Sequence, residues 1–525
     1  NNTNTLTATN GSINLNGVSE TKSAIEIRGN NTLTADNINL TGNSTNGTGI
    51  DLQGTNILTA SNGSVNINGS VESKASAVDI SGNSTVHAIN GNININGTVN
   101  KLFTGYGEKA GVRLNGVTLN ASNGTVNING SVNSMSGDPD ADAFKAGVIL
   151  GPSVNILALN SYINGTISGE YGFGVALGSI GSSNTEINIS GNASINGFSS
   201  GNKDSTFGVA FGFRETILNV NNGTLSINGT SDRYGVATKP VDGQWASTKV
   251  AINLENANVT IFGCGSVAGV FFARHDNSAP YSPSGLLING GTGNISGHSD
   301  TGVGVVLGGS TNINGVTVNG TSNTGTGVII NGEANVINAS VNGNSNGTGV
   351  SITGAVNITG STVTGNATGN GNGVNISGNI TDGVISGSAT GNGSGVGISG
   401  DSTLNNTTVS GNGTDGAGVS ISGNLSNSGN STVTGNASGN GNGVNISGNI
   451  TDGVISGSAT GNGAGVDISG DSTLTNTTVS GNGTDGAGVS ISGNLSNSGN
   501  STVTGNASGN GNGVNISGNI TDGVI

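Results

Sequence analysis

The sequence has little of what usually stabilises a compact globular domain. Of 525 residues only one is cysteine (Cys264), five are proline, 3% are aromatic and 8% are charged. A single cysteine excludes an internal disulfide, so stability has to come from the stacking of the chain on itself. No sustained run of apolar residues has the i, i+3 and i+4 spacing of an amphipathic helix, which argues against a helical fold.

Lys and Arg are absent from the last 251 residues of the chain. All thirteen Lys and Arg residues lie at or before Arg274, the only formally charged residues of 275–525 are acidic, and the net charge is −15. Because phosphate contacts need cations, this balance argues against nucleic acid as a partner. The 99 glycines would suit a disordered chain, but a regular repeat argues against disorder.

That repeat is an apolar-x-apolar triplet, usually preceded by glycine. In the second half its step is 22 to 25 residues, which fits one coil of a solenoid. In the first half the step lengthens to as much as 36 residues because segments are inserted between triplets. Nineteen leading residues can be counted: Ile25, Ile50, Val78, Val112, Val148, Val175, Val209, Val236, Val270, Val305, Val328, Val350, Val374, Val396, Val419, Val444, Val466, Val489 and Val514.

Two further strands follow each triplet in the first half, as in Leu33-Thr34-Ala35 and Ile38-Asn39-Leu40. Asn-Gly, Gly-Asn and Ser-Gly pairs between them supply tight corners. Three strands and three corners per coil predict an all-β parallel β-helix of about 19 coils, with loop insertions in the first half. Asparagines at matching corners are expected to stack in hydrogen-bonded amide ladders.

The C-terminal coils are nearly identical copies. Residues 371–440 and 441–510 align without a gap and differ at only three positions, which favours a spacer over a binding site. We therefore divide the chain into β-helix coils at 1–100, coils with long aromatic-containing insertions at 101–300, and regular spacer coils at 301–525.

The central insertions are the candidate binding region. All sixteen aromatic residues fall between Phe103 and Tyr281, and aromatics displayed on neighbouring loops stack on sugars or anchor protein partners. The alternative, that aromatic rings fill a wider core, is favoured for the four next to or within triplets, Phe173, Phe211, Phe271 and Phe272. The candidate binding residues are Phe103, Tyr106, Tyr234, Trp245 and Tyr281.

No catalytic or metal-binding constellation is evident. The three histidines are far apart, and no Ser-His-Asp or paired-Glu spacing occurs. Asp138, Asp140 and Asp142 alternate as in a calcium loop, but Ala143 and Ile149 stand where its glycine and bidentate acid are needed. We therefore predict no enzyme activity, no metal site and no cofactor.

Asn-x-Ser/Thr sequons are dense, with more than 40 in the chain. A chain this rich in Asn, Ser and Thr produces many by chance, and duplication multiplies them. Hexosylation of a subset of outward-facing sites is the alternative. The candidate glycosylation sites are Asn62, Asn68, Asn123, Asn129, Asn222, Asn228, Asn375 and Asn379.

Coils such as NTLTADNINLTG and ILTASNGSVNINGS resemble the shaft of filamentous-haemagglutinin-type exoproteins of two-partner secretion, especially the glycosylated high-molecular-weight adhesins. The resemblance covers residues 1–300 and, more loosely, the later GVxISG coils. It implies a right-handed β-helix, export through a dedicated outer-membrane transporter, and location at the bacterial surface or in the medium. It also implies attachment to host cell-surface or mucin glycans and glycoproteins, and hexose transfer to sequons.

Three functions remain open from the sequence. The first is a surface adhesin of which this chain is a shaft fragment. The second is the stalk of a contact-dependent growth-inhibition toxin, whose loops would recognise a receptor on a neighbouring bacterium. The third, a polysaccharide-cleaving β-helix, is disfavoured because the last 251 residues lack Lys and Arg.

Overall fold

A computed structural model describes residues 3–102, 108–134, 145–169, 171–178, 184–201, 206–212, 215–238, 249–273 and 285–522. The chain divides into two compact units, Asn1–Gly293 and Asn294–Ile525. Within the described residues every regular element is a β-strand, and no helix is present.

The first unit is built from long strands that bend at the coil corners. Its strands are β1 (Thr3–Ser19), β2 (Ile25–Arg28), β3 (Asn30–Ser44), β4 (Ile50–Gln53), β5 (Asn56–Ala60), β6 (Val65–Val71), β7 (Val78–Ala88), β8 (Ile93–Leu102), β9 (Lys109–Ser134), β10 (Lys145–Leu150), β11 (Val154–Ser168), β12 (Gly172–Leu177), β13 (Thr185–Ser200), β14 (Thr206–Phe211), β15 (Thr216–Ser231), β16 (Tyr234–Thr238), β17 (Lys249–Cys264), β18 (Ala268–Phe272) and β19 (Gly285–Asn289).

The second unit has shorter strands at a more regular spacing, and the first of them begins two residues before the unit does. They are β20 (Thr292–Ser299), β21 (Val303–Leu307), β22 (Asn312–Asn314), β23 (Val316–Ser322), β24 (Thr326–Gly332), β25 (Asn335–Ile337), β26 (Ser340–Ser345), β27 (Val350–Gly354), β28 (Asn357–Thr359), β29 (Thr362–Ala367), β30 (Val374–Ile376), β31 (Asn379–Thr381), β32 (Val384–Ala389), β33 (Val396–Ile398), β34 (Ser402–Asn405), β35 (Thr408–Gly413), β36 (Val419–Ile421), β37 (Leu425–Ser428), β38 (Thr432–Ala437), β39 (Val444–Ile446), β40 (Ile450–Ala459), β41 (Val466–Ile468), β42 (Ser472–Gly483), β43 (Val489–Ile491), β44 (Leu495–Ser498), β45 (Thr502–Ala507), β46 (Val514–Ile516) and β47 (Ile520–Thr521).

The triplets stack in register, as the sequence predicts. In the first unit each leading residue from Ile25 to Val270 pairs with the next along the chain, in a parallel ladder of nine coils. In the second unit the ten leading residues from Val305 to Val514 do the same. The predicted parallel β-helix is therefore confirmed.

Alternation within each strand explains why these segments form a core. In β6, Val65, Ile67 and Val71 point inward and are fully buried, whereas the asparagines between them face outward and are half-buried. The same side of the next coil presents Ile93, Ile95 and Val99 in register. Each coil thus buries its apolar side chains on those of its neighbours, and the interior is a continuous stack of small aliphatic residues.

A column of glycines lets the coils close. Gly130, Gly165, Gly197 and Gly229 occupy one register position in β9, β11, β13 and β15. At Gly165 an added Cβ would overlap the carbonyl oxygen of Gly174 and lie 2.8 Å from Cγ2 of Val175. The third strand of a coil therefore passes directly over the start of the next triplet, and only glycine fits there.

The longest asparagine amide ladders form on strands. In these ladders each Nδ2 donates to the Oδ1 of the asparagine one coil earlier, at 2.7–2.9 Å. The first unit contains three such ladders: Asn14, Asn39, Asn66, Asn94 and Asn127; Asn68, Asn96, Asn129, Asn164, Asn196 and Asn228; and Asn155, Asn188, Asn219, Asn253 and Asn289. Asparagines at matching corners also pair, as from Asn519 to Asn494 at 3.0 Å and from Asn462 to Asn440 at 3.2 Å, so the prediction holds there for pairs of coils. The longer ladders lie on outward strand positions, which keep the same register over more coils.

Two asparagines point into the core of the second unit. Asn427 and Asn497 pair in register with the buried Leu404 and Leu474, and they are 2% and 1% exposed. Neither side-chain atom of either residue has a hydrogen-bond partner among the described residues. Burying an amide without partners costs free energy, so these two coils are locally weak.

Replacing either asparagine with valine is expected to raise stability. Asn427→Val and Asn497→Val each remove a buried unpartnered amide in favour of a strand-forming apolar side chain, a gain of about 1–3 kcal/mol per site. Chemical denaturation followed by circular dichroism measures this gain. Asn436→Val, at an exposed outward position one strand later, is the control and should not stabilise the chain. Equal effects at all three positions would contradict this explanation.

Candidate functional site

The five predicted binding aromatics do not form a described site. Phe103, Tyr106, Trp245 and Tyr281 lie outside the described residues. Tyr234 is only 2% exposed, and its ring stacks on Phe207 at a centroid distance of 5.1 Å. Tyr234 therefore packs within an apolar cluster and offers no ring face to a ligand, because it occupies the register position of Phe207.

Three of the four phenylalanines that were predicted to fill a wider core are fully buried, and the fourth is partly buried. Phe173, Phe211 and Phe272 are 0–2% exposed, as predicted. Phe271 is partly buried and meets the ring of Tyr234 edge-on at 5.8 Å. Strands β10, β12 and β14 are buried on both faces, which is why Ile149, Ala176 and Ala210 stand at the register position that is charged in earlier coils.

Three other aromatic side chains are exposed. Tyr162, Phe198 and Phe262 are 45%, 49% and 42% exposed, and all point outward from the third strand segment of their coils. The outward side chains of residues 161–168, 193–200, 225–231 and 259–264 surround them, and we call this surface the amide face. Its other side chains are Asn, Ser, Thr and Cys264, none of them charged. The surface combines exposed rings with amide and hydroxyl groups, the groups that contact sugars and protein backbones.

Sequence reasoning missed these three residues because they lie in strands rather than in insertions. A signal was present in the coil alignment. Tyr162 stands in register with Asn127 and Ser194, Phe198 with Thr166 and Thr230, and Phe262 with Asn228. Each aromatic thus replaces a small polar residue in a column of small polar residues.

The candidate glycosylation sites occupy different environments. Asn62, Asn123, Asn129, Asn222 and Asn379 are exposed, whereas Asn68, Asn228 and Asn375 are half-buried. Asn129 and Asn228 donate their Nδ2 to the amide ladder at 2.9 and 2.8 Å. Asn62 donates instead to Asp36 at 2.8 Å, and Asn222 has a positive φ of 57°.

A charged column runs along the outward side of the first triplet strands. Glu26, Asp51, Asp79 and Arg113 stack in register on β2, β4, β7 and β9. Nη1 of Arg113 donates to both oxygens of Asp79, at 2.8 and 3.2 Å, and Nε donates to Glu108 at 2.9 Å. Burial raises the pKa of the Asp79 carboxyl above its ordinary value, although the charge of Arg113 partly offsets this.

Asp51 is the member of this column whose buried carboxylate is least compensated by hydrogen bonds and opposite charge. Its side chain is 7% exposed, and its Oδ1 has no hydrogen-bond partner among the described residues. Burial, followed by the neighbouring charge of Asp79, raises the pKa of the Asp51 carboxyl. A raised carboxyl pKa means that the ionised form of Asp51 is less favourable in the folded chain than in the unfolded chain. The ionised carboxyl therefore lowers the free energy of unfolding near neutral pH.

Metal-binding residues are not gathered anywhere in the described part of the chain. No three His, Cys, Asp or Glu side chains there lie close enough to hold an ion. Asp138, Asp140 and Asp142 of the rejected calcium loop lie outside the described residues. The described residues also include no helix long and apolar enough to cross a membrane.

The fold places the chain among β-solenoid repeat proteins. No protein-family model matches its sequence, and no curated protein is similar to it at a significant level.

Proposed function

We propose that this chain is part of the shaft of a filamentous bacterial adhesin of the two-partner-secretion type, secreted or displayed at the cell surface through a dedicated outer-membrane transporter. Its role is to bind host cell-surface or mucin glycans and glycoproteins rather than to catalyse a reaction. The observation that supports the proposal most directly is the amide face, where Tyr162, Phe198 and Phe262 are exposed on an uncharged part of a parallel β-helix.

The two units differ in a way that suits this role. All sixteen aromatic residues belong to the first unit. Among the described residues of the second unit, the exposed large apolar side chains are Val384, Val454 and Ile516. Aromatic side chains are enriched among the residues that contribute most to the binding energy of protein interfaces. We therefore expect the first unit to contact the partner and the second unit to act as a spacer.

Glycosylation is part of the same proposal. Among the candidate sequons, the exposed asparagines Asn62, Asn123, Asn129, Asn222 and Asn379 are the sites where a hexose has room on the folded chain. Hydrophilic carbohydrate at these sites adds to solubility and protease resistance.

The test is binding of the full 525-residue chain to epithelial cells. The variant Tyr162→Ser/Phe198→Thr/Phe262→Asn gives each position the residue of an adjacent coil, so the fold is expected to persist. We expect cell binding to weaken about tenfold or more. Flow cytometry of the labelled chain measures it.

The matched control changes exposed apolar residues of the second unit. Val384→Thr/Val454→Thr also introduces residues of adjacent coils and should bind as the wild type does. No binding of the wild-type chain to epithelial cells would overturn the proposal. Binding to bacterial cells alone would overturn it in favour of a toxin stalk.

A further inference from the structure

A shallow cavity of about 300 Å³ opens on another outward side of the first unit, away from the amide face. It spans strands β9, β11, β13 and β15, at the second strand segment of their coils. Its outward lining side chains are Thr118, Asn155, Leu157, Asn188, Ser190 and Asn221. This volume is at the small end for ligand sites and matches one or two sugar residues.

The cavity exists because one column contains a short side chain. Leu157, Ser190 and Asn221 follow one another in register on β11, β13 and β15. Ser190 is the smallest of the three, so it leaves a gap between its larger neighbours. A bulky side chain at position 190 would fill the gap.

The adjacent column supplies amides in fixed orientations. Nδ2 of Asn188 donates to Oδ1 of Asn155 at 2.8 Å, and Nδ2 of Asn219 donates to Oδ1 of Asn188 at 2.7 Å. A primary amide has two N–H groups and two lone pairs, and the ladder uses one of each. Asn188 therefore keeps a donor and an acceptor for a ligand, already oriented by the ladder.

One exposed apolar side chain also lines the cavity. It is Leu157, which is 37% exposed. Sugars present C–H groups on one ring face and hydroxyls around the edge. A leucine side chain beside oriented amides is complementary to both kinds of group.

Charge narrows the class of ligand. No lining side chain is charged. The carboxylates of Glu186 and Glu255 lie beside the cavity and disfavour binding of an anionic ligand. Glu186 accepts a hydrogen bond from Asn219 at 3.0 Å. With its amide nitrogen turned toward Glu255, Asn221 donates to that carboxylate at 3.3 Å. Two carboxylates beside an uncharged cavity repel sialylated, sulfated or uronate sugars.

We propose that this cavity, centred on Ser190 and Asn188, is a binding site for an uncharged hexose or N-acetylhexosamine unit of a glycan. The proposal rests on the proposed function in taking the chain to meet host glycans, and it adds the sugar class and the site. The cavity and the exposed aromatics of the amide face are separate surfaces, so each is tested by its own variant.

The experiment titrates the full 525-residue chain with lactose, N-acetyllactosamine and sialyllactose, followed by saturation-transfer NMR. We expect transfer to one of the neutral sugars and little to sialyllactose. Ser190→Trp fills the cavity and should weaken neutral-sugar binding about tenfold or more. Ser426→Trp, the same change at an exposed outward position of β37 in the second unit, should leave neutral-sugar binding unchanged.

Each other outcome overturns the cavity site. These are no transfer to either neutral sugar, equal binding by Ser190→Trp and the wild type, or a preference for sialyllactose. Failure of the adhesin proposal is seen separately, in the epithelial-cell assay. If Ser190→Trp loses sugar binding while the wild type binds no cells, the sugar site stands and the adhesin proposal falls.

Discussion

Replacing Gly165 with alanine is expected to disrupt its coil and to lower the free energy of unfolding by about 3 kcal/mol or more. The added methyl group would overlap the carbonyl oxygen of Gly174, which is backbone and cannot rotate away. The coil has to separate from its neighbour to accommodate the change, and the ladder of hydrogen bonds between β11 and β13 is lost with it. Thermal unfolding and hydrogen exchange of peptides from residues 154–200 measure the effect.

Gly11 provides the matched control. A Cβ built on Gly11 meets no heavy atom within 4 Å. Gly11→Ala should therefore change stability by no more than about 0.5 kcal/mol. If both substitutions lower the melting temperature equally, the loss comes from glycine's backbone freedom, and the close approach of the two coils is not what requires glycine at position 165.

Replacing Arg113 with methionine is expected to give the second large effect. Asp79 and Glu108 would lose the guanidinium that they share, while their side chains are only 19% and 11% exposed. We expect a loss of about 2–3 kcal/mol near pH 7, less than for a fully buried pair because Arg113 itself is partly exposed.

The pH dependence identifies the cause. Without Arg113, burial raises the pKa of Asp79 further, and a raised carboxyl pKa favours the protonated folded state. The contribution of protonated Asp79 to stability is then fully present below the ordinary pKa of aspartate. It is lost as the pH rises through the raised pKa of Asp79 in the folded chain. The difference between variant and wild type should therefore be larger near pH 7 than near pH 4, measured by denaturant unfolding at both.

A double variant separates charge from packing. Arg113→Met/Asp79→Asn removes the uncompensated carboxylate and should recover part of the loss near pH 7. A loss that is the same at both pH values, and that Asp79→Asn does not reduce, would mean that Arg113 stabilises the coil through its aliphatic chain.

Much of the fold could be predicted from the sequence because one coil is short enough to show its own repeat. Val374, Val396 and Val419 stack as the spacing indicates. The insertions of the first half did not hide the repeat, since the triplets keep their glycine and their alternation. Stacking in register requires only that each coil present the same residue types to its neighbours.

The site was less predictable because exposure depends on which side of a strand a residue occupies. Tyr234 and Tyr162 are both single aromatics within strands, yet one is 2% and the other 45% exposed. The register of β11 shifts between Leu157 and Asn160. The alternation of inward and outward side chains before the shift therefore does not predict which side chains point outward after it. The gap above Ser190 was also hidden, because it depends on three residues that lie more than 30 positions apart.

Three of the amide ladders give the coils of the first unit a direction. Along these three every Nδ2 donates toward the preceding coil, as from Asn228 to Asn196 and from Asn196 to Asn164, whereas Asn4 and Asn31 donate toward the following coil. Within each of the three ladders the side-chain dipoles add, and a finished coil offers an aligned acceptor to the segment that comes after it. Each coil is a template for its successor, and the chain can assemble in the order of its sequence without any contact between distant segments.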